Sequence, residues 1–296
     1  MTDVTIRRYT ENDAEAVVAF FAECASQDSG ISSVSLPDWK YFTSRPFNNN
    51  ATDFAVGEID RTVISLLTSM VKIDEALGRI RHFRIIVHPE FRRKRIGSLL
   101  LHLMDSQDSK PVIRQCNVLG RWEAGAAFLS KNAYSVAHSE LLMSVSDLKK
   151  RSYPLPEGYS LRPYRPDDTA WWAELSNDAY RNTENAILQT ADSVASEAAA
   201  DGFYLWVLSH LDKNIGFSHS IASGDNGLLN SIVVDPAYRG KKLGNILMAA
   251  SINTLIDQGC RKLELNVDSD NVAAIALYRW FGFAEYDSMN LYRRYE

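Results

Sequence analysis

The feature that most constrains this chain is that it carries one pattern twice. Ile6-Arg7-Arg8-Tyr9, followed by Asp13, returns as Leu161-Arg162-Pro163-Tyr164, followed by Asp168. The segment Ile85 to Leu101 aligns with Ile232 to Met248, with seven identities in 17 positions, among them Pro89/Pro236, Arg92/Arg239 and Gly97/Gly244. A third block pairs Phe128-Leu129 with Leu277-Tyr278, and Ala133-Tyr134 with Gly282-Phe283. A repeat of this length means two copies of one architecture. The Pro- and Gly-bearing basic stretch at 149–158 reads as the join. The expectation is therefore a domain at 1–148, a linker at 149–158 and a second domain at 159–296, each long enough for its own core.

Within the second half the hydrophobic period alternates between two and 3.6. Tyr159–Pro163, Phe203–Leu208, Ile215–Ile221, Leu228–Val234, Lys262–Val267 and Phe283–Tyr292 read as strands. Helices are expected after Asp167/Asp168, from Leu243 to the stop at Gly259, and from Asn271 to Phe281. Interleaved strands and helices predict an α/β (α+β sandwich) fold, each half a mixed sheet flanked by helices.

Composition removes several function classes. A hydrophobic fraction of 46% with 23% charged residues is that of a globular chain. The apolar run Ala16 to Ala22 is too short to span a bilayer, and the acids Glu11, Asp13 and Glu15 before it are wrong for a signal peptide. The net charge of −5 argues against a nucleic-acid binder. Three scattered cysteines, Cys24, Cys116 and Cys260, fit reduced thiols and offer no metal-ligand spacing. A cytoplasmic protein without membrane, nucleic acid or metal is expected, as monomer or homodimer.

The chemically informative stretch is Val233-Val234-Asp235-Pro236-Ala237-Tyr238-Arg239-Gly240-Lys241-Lys242-Leu243-Gly244-Asn245. It reads as a strand, a tight turn and a helix start. The first amides of a helix have no intrahelical acceptor and sit at the positive end of its dipole, which suits an anion. Basic residues oppose that dipole, so Arg239, Lys241 and Lys242 there point to phosphate. A solvent-exposed βα turn is the alternative.

These residues resemble the GNAT superfamily of N-acetyltransferases. Arg239-x-x-x-x-Gly244 after Val-Asp-Pro looks like its motif A. Asn271-x-x-Ala274-x-x-Leu277-Tyr278 with Gly282-Phe283 looks like its motif B, which peptide-amine acetyltransferases of ribosomal proteins share in related form. The run Asp268 to Ala274 and the tandem layout are similar to mycothiol synthases. One departure stands in motif A, where Lys242, and Arg95 in the first half, replace its first glycine. The resemblance implies acetyl-CoA as co-substrate, with no metal. Its pyrophosphate would lie on the turn from Arg239 to Asn245. Its pantetheine would pair with the strand at Ile232, Val233 and Val234, and Asn271 would touch it at the next helix.

The resemblance also implies direct attack of a primary amine on the thioester, with Tyr278 as the acid that protonates the leaving thiolate. For the base, Glu264 shares a strand face with Asn266 and Asp268, and His219 has an unperturbed pKa near working pH. Either is equally a plain strand residue. The carboxylate that family members carry on the fourth strand is missing, because that strand reads Leu228-Leu229-Asn230-Ser231. Acids at Asp167, Asp168, Glu174, Asp178, Glu184, Asp192, Glu197 and Asp201 suggest an acidic lip, and Tyr180, Trp172 and Tyr204 suggest an acceptor pocket. A small-molecule amine is the leading acceptor, a peptide or protein α-amine the second. The remaining reading is a silent CoA-binding or scaffold module.

In the first half Leu129 stands where the second has Tyr278, and Trp122 where it has Asn271. Leucine has no proton to give, so the first half is expected to be inactive. Its segment Val87, Arg92, Arg93, Lys94, Arg95, Ile96, Gly97 and Ser98 is a second candidate phosphate turn.

Overall fold

A computed structural model describes residues 4–45, 49–74, 77–108, 110–181, 183 and 188–295. They form two compact units, Met1–Ser139 with Met289–Glu296, and Glu140–Ser288. These are not the consecutive segments expected from the sequence, because the last strand of each half completes the sheet of the other unit.

In the first unit β1 (Thr5–Arg8), β2 (Ala55–Ile59), β3 (Thr62–Asp74), β4 (Gly78–Val87) and β5 (Ile113–Leu119) lie side by side. The next strand is Met289–Arg294 of β12 (Ala284–Arg294), antiparallel to β5. In the second unit the order runs β7 (Tyr159–Pro163), β8 (Phe203–His210), β9 (Lys213–Ser223), β10 (Asn226–Val234) and β11 (Lys262–Asp268). Glu140–Val145 of β6 (Ser135–Val145) then closes it, antiparallel to β11. All pairings inside each unit are antiparallel except β4 with β5 and β10 with β11.

The helices of the first unit are α1 (Ala14–Gln27), α2 (Leu36–Thr43), α3 (Asn50–Asp53), α4 (Ile96–Asp105) and α5 (Glu123–Lys131). Those of the second are α6 (Thr169–Tyr180), α7 (Ala191–Ala198), α8 (Leu243–Asp257) and α9 (Val272–Trp280). The strands expected from alternation form within a few residues of their expected ends. Helix α7 buries only Val194 and rests on a cap made by Thr190 and Ser193.

The repeated Arg and Asp are an ion pair in both units. Arg7 holds Asp13 at 2.8 and 2.7 Å, and Arg162 holds Asp168 at 2.7 Å through both nitrogens. Each forked pair ties the first strand to the start of the following helix. The Arg7 guanidinium holds the Asp13 carboxyl down at about 2.

Strand β6 is part of the second unit's core. Met143 is fully buried, and Met143 and Val145 pack in one apolar cluster with Leu255, Leu263, Leu265, Ile275 and Phe283. Among the described residues no helix is long and apolar enough to cross a membrane. Met143→Ala is expected to lower the unfolding free energy by about 2–5 kcal/mol, measured by urea denaturation monitored on the second unit's tryptophans.

Candidate active site

Strands β10 and β11 pair in parallel at three positions only, from Asn226↔Lys262 to Leu228↔Glu264. Gly227 makes the pairing possible, since a Cβ there would lie 2.6 Å from Leu263 and 2.9 Å from Leu255. Beyond Leu228 the strands part. On its other edge β10 carries a bulge against β9 between Leu229 and Ser231, and a bulge bends its strand. The parted strands enclose a cleft of about 740 Å³ within the second unit. Leu229 to Val234 form one wall, and Asn266, Val267 and Asp268 the other.

The cleft meets the start of α8, where Arg239, Gly240, Lys242, Leu243, Gly244 and Asn245 line it. Lys242 is the N-cap in the left-handed region at φ 59°, a conformation that favours glycine. This is the motif position where lysine stands for glycine, so the turn keeps its shape at the expense of backbone strain. Lys241 does not line the cleft, and its ammonium lies 5.1 Å over the Tyr238 ring. Arg239 donates from Nε to the Val234 carbonyl at 3.1 Å, which pins the turn to β10.

Beside it α9 brings Asn271, Ala274, Leu277 and Tyr278 to the cleft, with Leu277 3.4 Å from where a Cβ on Gly244 would stand. Asn271 caps α9 by accepting from the Ala274 amide through Oδ1 at 3.1 Å, which leaves its side-chain NH2 for a ligand. Burial pushes the Tyr278 phenol up to about 12, so it stays protonated at neutral pH. Tyr180 lines the same cleft, and its phenol is also raised, by burial first and then by Tyr278 and Asp268.

The cleft thus gathers Tyr278, Asn271 and all of the expected cofactor residues except Lys241. Neither expected base reaches it. Glu264 shares its strand face with Asn266 and Asp268 but stands opposite Leu228, where β10 and β11 are still paired, and it pairs with Lys262 at 2.7 Å. His219 lies behind the bulge, 5% exposed, with Nδ1 3.0 Å from the Asn230 amide. Burial lowers its pKa to about 4, well away from working pH. Of the expected acceptor aromatics, Tyr180 lines the cleft, whereas Trp172 stacks on Phe217 at 3.9 Å in the core and Tyr204 stands apart. Glu184 lies outside the described residues, and the other seven acids of the expected lip do not line the cleft. The carboxylates that do are Asp268 and Glu140. Glu140 was missed because it precedes the linker, so no reading of the second half alone includes it.

In the first unit the arginine of the corresponding turn is held by the protein itself. Arg92 repeats the clamp, with Nε donating to the Val87 carbonyl at 3.1 Å. Its terminal nitrogen is held by Asp28 at 2.6 Å, and Asp28 also accepts from Trp122 Nε1 at 3.0 Å. The Trp122 indole packs so closely on Gly30 that a Cβ there would lie 2.2 Å from its nitrogen. Arg93 and Arg95 hold left-handed φ values of 64° and 66°. Lys94 lies 4.7 Å over the Phe91 ring, Ile96 is buried, and a Cβ on Gly97 would meet the Phe128 ring at 3.5 Å. Ser98 follows on the first turn of α4.

Residues 163–283 match the family described as Acetyltransferase (GNAT) family. A mycothiol acetyltransferase of Renibacterium salmoninarum is 28% identical over 227 residues, 70% of this chain and 65% of that protein. One from Salinispora tropica is 35% identical over 147 residues, 46% of this chain and 48% of that protein. The chain thus spans from half to two thirds of the length of these two relatives. Among solved structures, a tandem GNAT protein from the clavulanic acid biosynthesis pathway superposes with a TM-score of 0.76 at 18% identity. That likeness covers 99% of this chain and 98% of that one. A GCN5-related N-acetyltransferase from Sphaerobacter thermophilus gives 0.75 at 16% identity, over 99% and 95%. The two motifs meet on one cleft within the residues that match the acetyltransferase (GNAT) family, and the whole chain has the fold of the tandem GNAT protein it superposes on.

Proposed function

We propose that this chain is an acetyl-CoA-dependent N-acetyltransferase that acylates a primary amine of a small molecule in the cleft of the second unit. The observation that carries the proposal is the cleft between the parted strands, on which the start of α8 with Arg239 and Lys242, the open edge of β10, and Asn271 and Tyr278 of α9 all meet. The residues fit acetyl-CoA. The unpaired amides at the start of α8 suit its pyrophosphate, and the freed edge of β10 at Ile232 to Val234 offers hydrogen bonds to an extended pantetheine. The relatives named mycothiol acetyltransferase support a cysteinyl amine of a sugar conjugate as the acceptor class.

In this reading the neutral amine attacks the thioester carbonyl, and collapse of the tetrahedral adduct expels the thiolate. Tyr278 supplies the proton that thiolate takes up. Its raised pKa keeps that proton in place until a strong base forms beside it. The phenolate then recovers a proton from the substituted nitrogen, leaving neutral amide and free thiol. Lys242 and Arg239 hold phosphate rather than take part in proton transfer. The first unit is proposed as a structural partner whose turn arginine is held by Asp28.

Tyr278→Phe is expected to lower kcat by about 10²- to 10⁴-fold while acetyl-CoA affinity is unchanged. Steady-state assays and calorimetry on the same preparation read both, and equal kcat in the variant removes the acid role. Calorimetric titration of the whole chain with acetyl-CoA is expected to give one site, lost in Arg239→Glu and kept in Arg92→Glu. Two sites make the first unit a cofactor holder. No binding at all leaves a scaffold.

A further inference from the structure

We infer that Asn230, the extra residue of the β10 bulge, receives the acceptor amine on its side-chain carbonyl, and that His219 is the positioning residue that turns this carbonyl toward the cleft. The inference rests on the acyl-transfer reading and names the acceptor contact of that same site. Along β9 and β10, Ser220 pairs with Leu229 and His219 with Ser231, so Asn230 has no partner on β9. A bulge re-aims the side chain it frees, and Asn230 lies exposed on the cleft wall. Its Nδ2 is 3.0 Å from Nδ1 of His219. An amide nitrogen only donates, so Nδ1 accepts and the imidazole proton sits on Nε2. With Nδ2 held by the ring, Oδ1 is left to accept from a ligand.

The His219 ring stacks on Phe203 at 5.3 Å, is 5% exposed, and has its Nε2 buried without a hydrogen-bond partner. A buried N–H left unpaired costs about 1–3 kcal/mol, which an apolar residue packed on Phe203 avoids. Among the described residues the one hydrogen bond that the ring makes is the one to Asn230. Glu197 stands 4.0 Å from the same Nδ1, outside hydrogen-bond distance. Burial keeps the ring neutral at working pH, so Nδ1 stays an acceptor. Next along β10, the Ser231 side chain hydrogen-bonds the Tyr180 phenol, whose pKa is raised in part by Tyr278. Asn230 thus stands one residue from the contact that leads to the proposed acid. An amine that gives one N–H to Oδ1 has its lone pair turned in a fixed direction, which is the gain that orientation supplies. A neutral amide oxygen does not take the proton, so Asn230 orients the amine and Tyr278 keeps its own role.

The test uses the full-length protein with acetyl-CoA and two probe amines, L-cysteine amide and D-glucosamine, with the N-acetyl product detected by mass spectrometry. In Asn230→Ala, kcat/KM for the better probe is expected to fall roughly tenfold, as for loss of one well-placed hydrogen bond. Acetyl-CoA affinity by calorimetry is expected to stay within about twofold of the parent. His219→Phe is expected to show the same fall. The double variant is expected to be no worse than Asn230→Ala, because a residue that acts through another is silent once the other is gone. A second full loss in the double variant makes His219 merely structural and overturns the inference, as does an unchanged kcat/KM in Asn230→Ala. If His219→Phe does not fold, nitrogen NMR of histidine-labelled parent and Asn230→Ala carries the same question. One imidazole protonated on Nε2 is expected to lose its Nδ1 hydrogen bond in the variant. A ring protonated on Nδ1 there, or no change between the two spectra, overturns the inference. Failure of the unmodified protein to acetylate either probe, while it binds acetyl-CoA, overturns the acyl-transfer reading and this inference with it. A parent that acetylates beside an equally active Asn230→Ala overturns the inference alone.

Discussion

The second unit depends on the parting of two parallel strands. β10 and β11 are hydrogen-bonded over three residues and then diverge, with Gly227 allowing close approach at the closed end and the bulge at Asn230 bending β10 beyond it. A continuous pairing would bury the edge from Leu229 to Val234 and leave no cleft. Because the strands part, the edge amides of β10, the start of α8 and the start of α9 all face one space. Edge groups left unpaired in a sheet normally invite another chain. Here they stand ready for an extended ligand with an anionic head.

The two repeats have kept one frame and diverged at the groups proposed to make it reactive. Arg92 and Arg239 make the same hydrogen bond to the carbonyl of the preceding strand. The clamp is thus structural in both units. What differs is the occupant beyond it. In the first unit Asp28 holds the Arg92 guanidinium and accepts from the Trp122 indole, and Leu129 is buried in the core. In the second unit the same positions belong to Asn271 and Tyr278, and both line the cleft. An internal carboxylate on an arginine stands in chemically for the phosphate that the reactive unit is proposed to hold.

The exchanged final strands make this division more than a duplication. Met143 and Val145 belong to the core of the second unit although they precede the linker. The same strand brings Glu140 to the cleft wall. Stability and cleft chemistry of the second unit therefore draw on residues from both repeats.

Much of this was legible in the sequence. The repeat, the alternation of strands and helices, the turn from Arg239 to Asn245 and the spacing from Asn271 to Tyr278 are local patterns, and local patterns follow from backbone periodicity and helix-end chemistry. The bounds of helix α7 were not legible, since one buried side chain leaves almost no periodic signal. Nor was the failure of Glu264 and His219 to reach the cleft. Strand alternation says which residues share a face, but not whether Lys262 neutralises one of them or burial lowers the pKa of the other. Sequence alone determined the architecture of each copy and the order of its motifs. Only the tertiary structure decided which strand closes which sheet, because antiparallel pairing depends on edges meeting in space and not on proximity along the chain. That choice put Glu140 opposite Asp268 and gave the cleft its acidic wall.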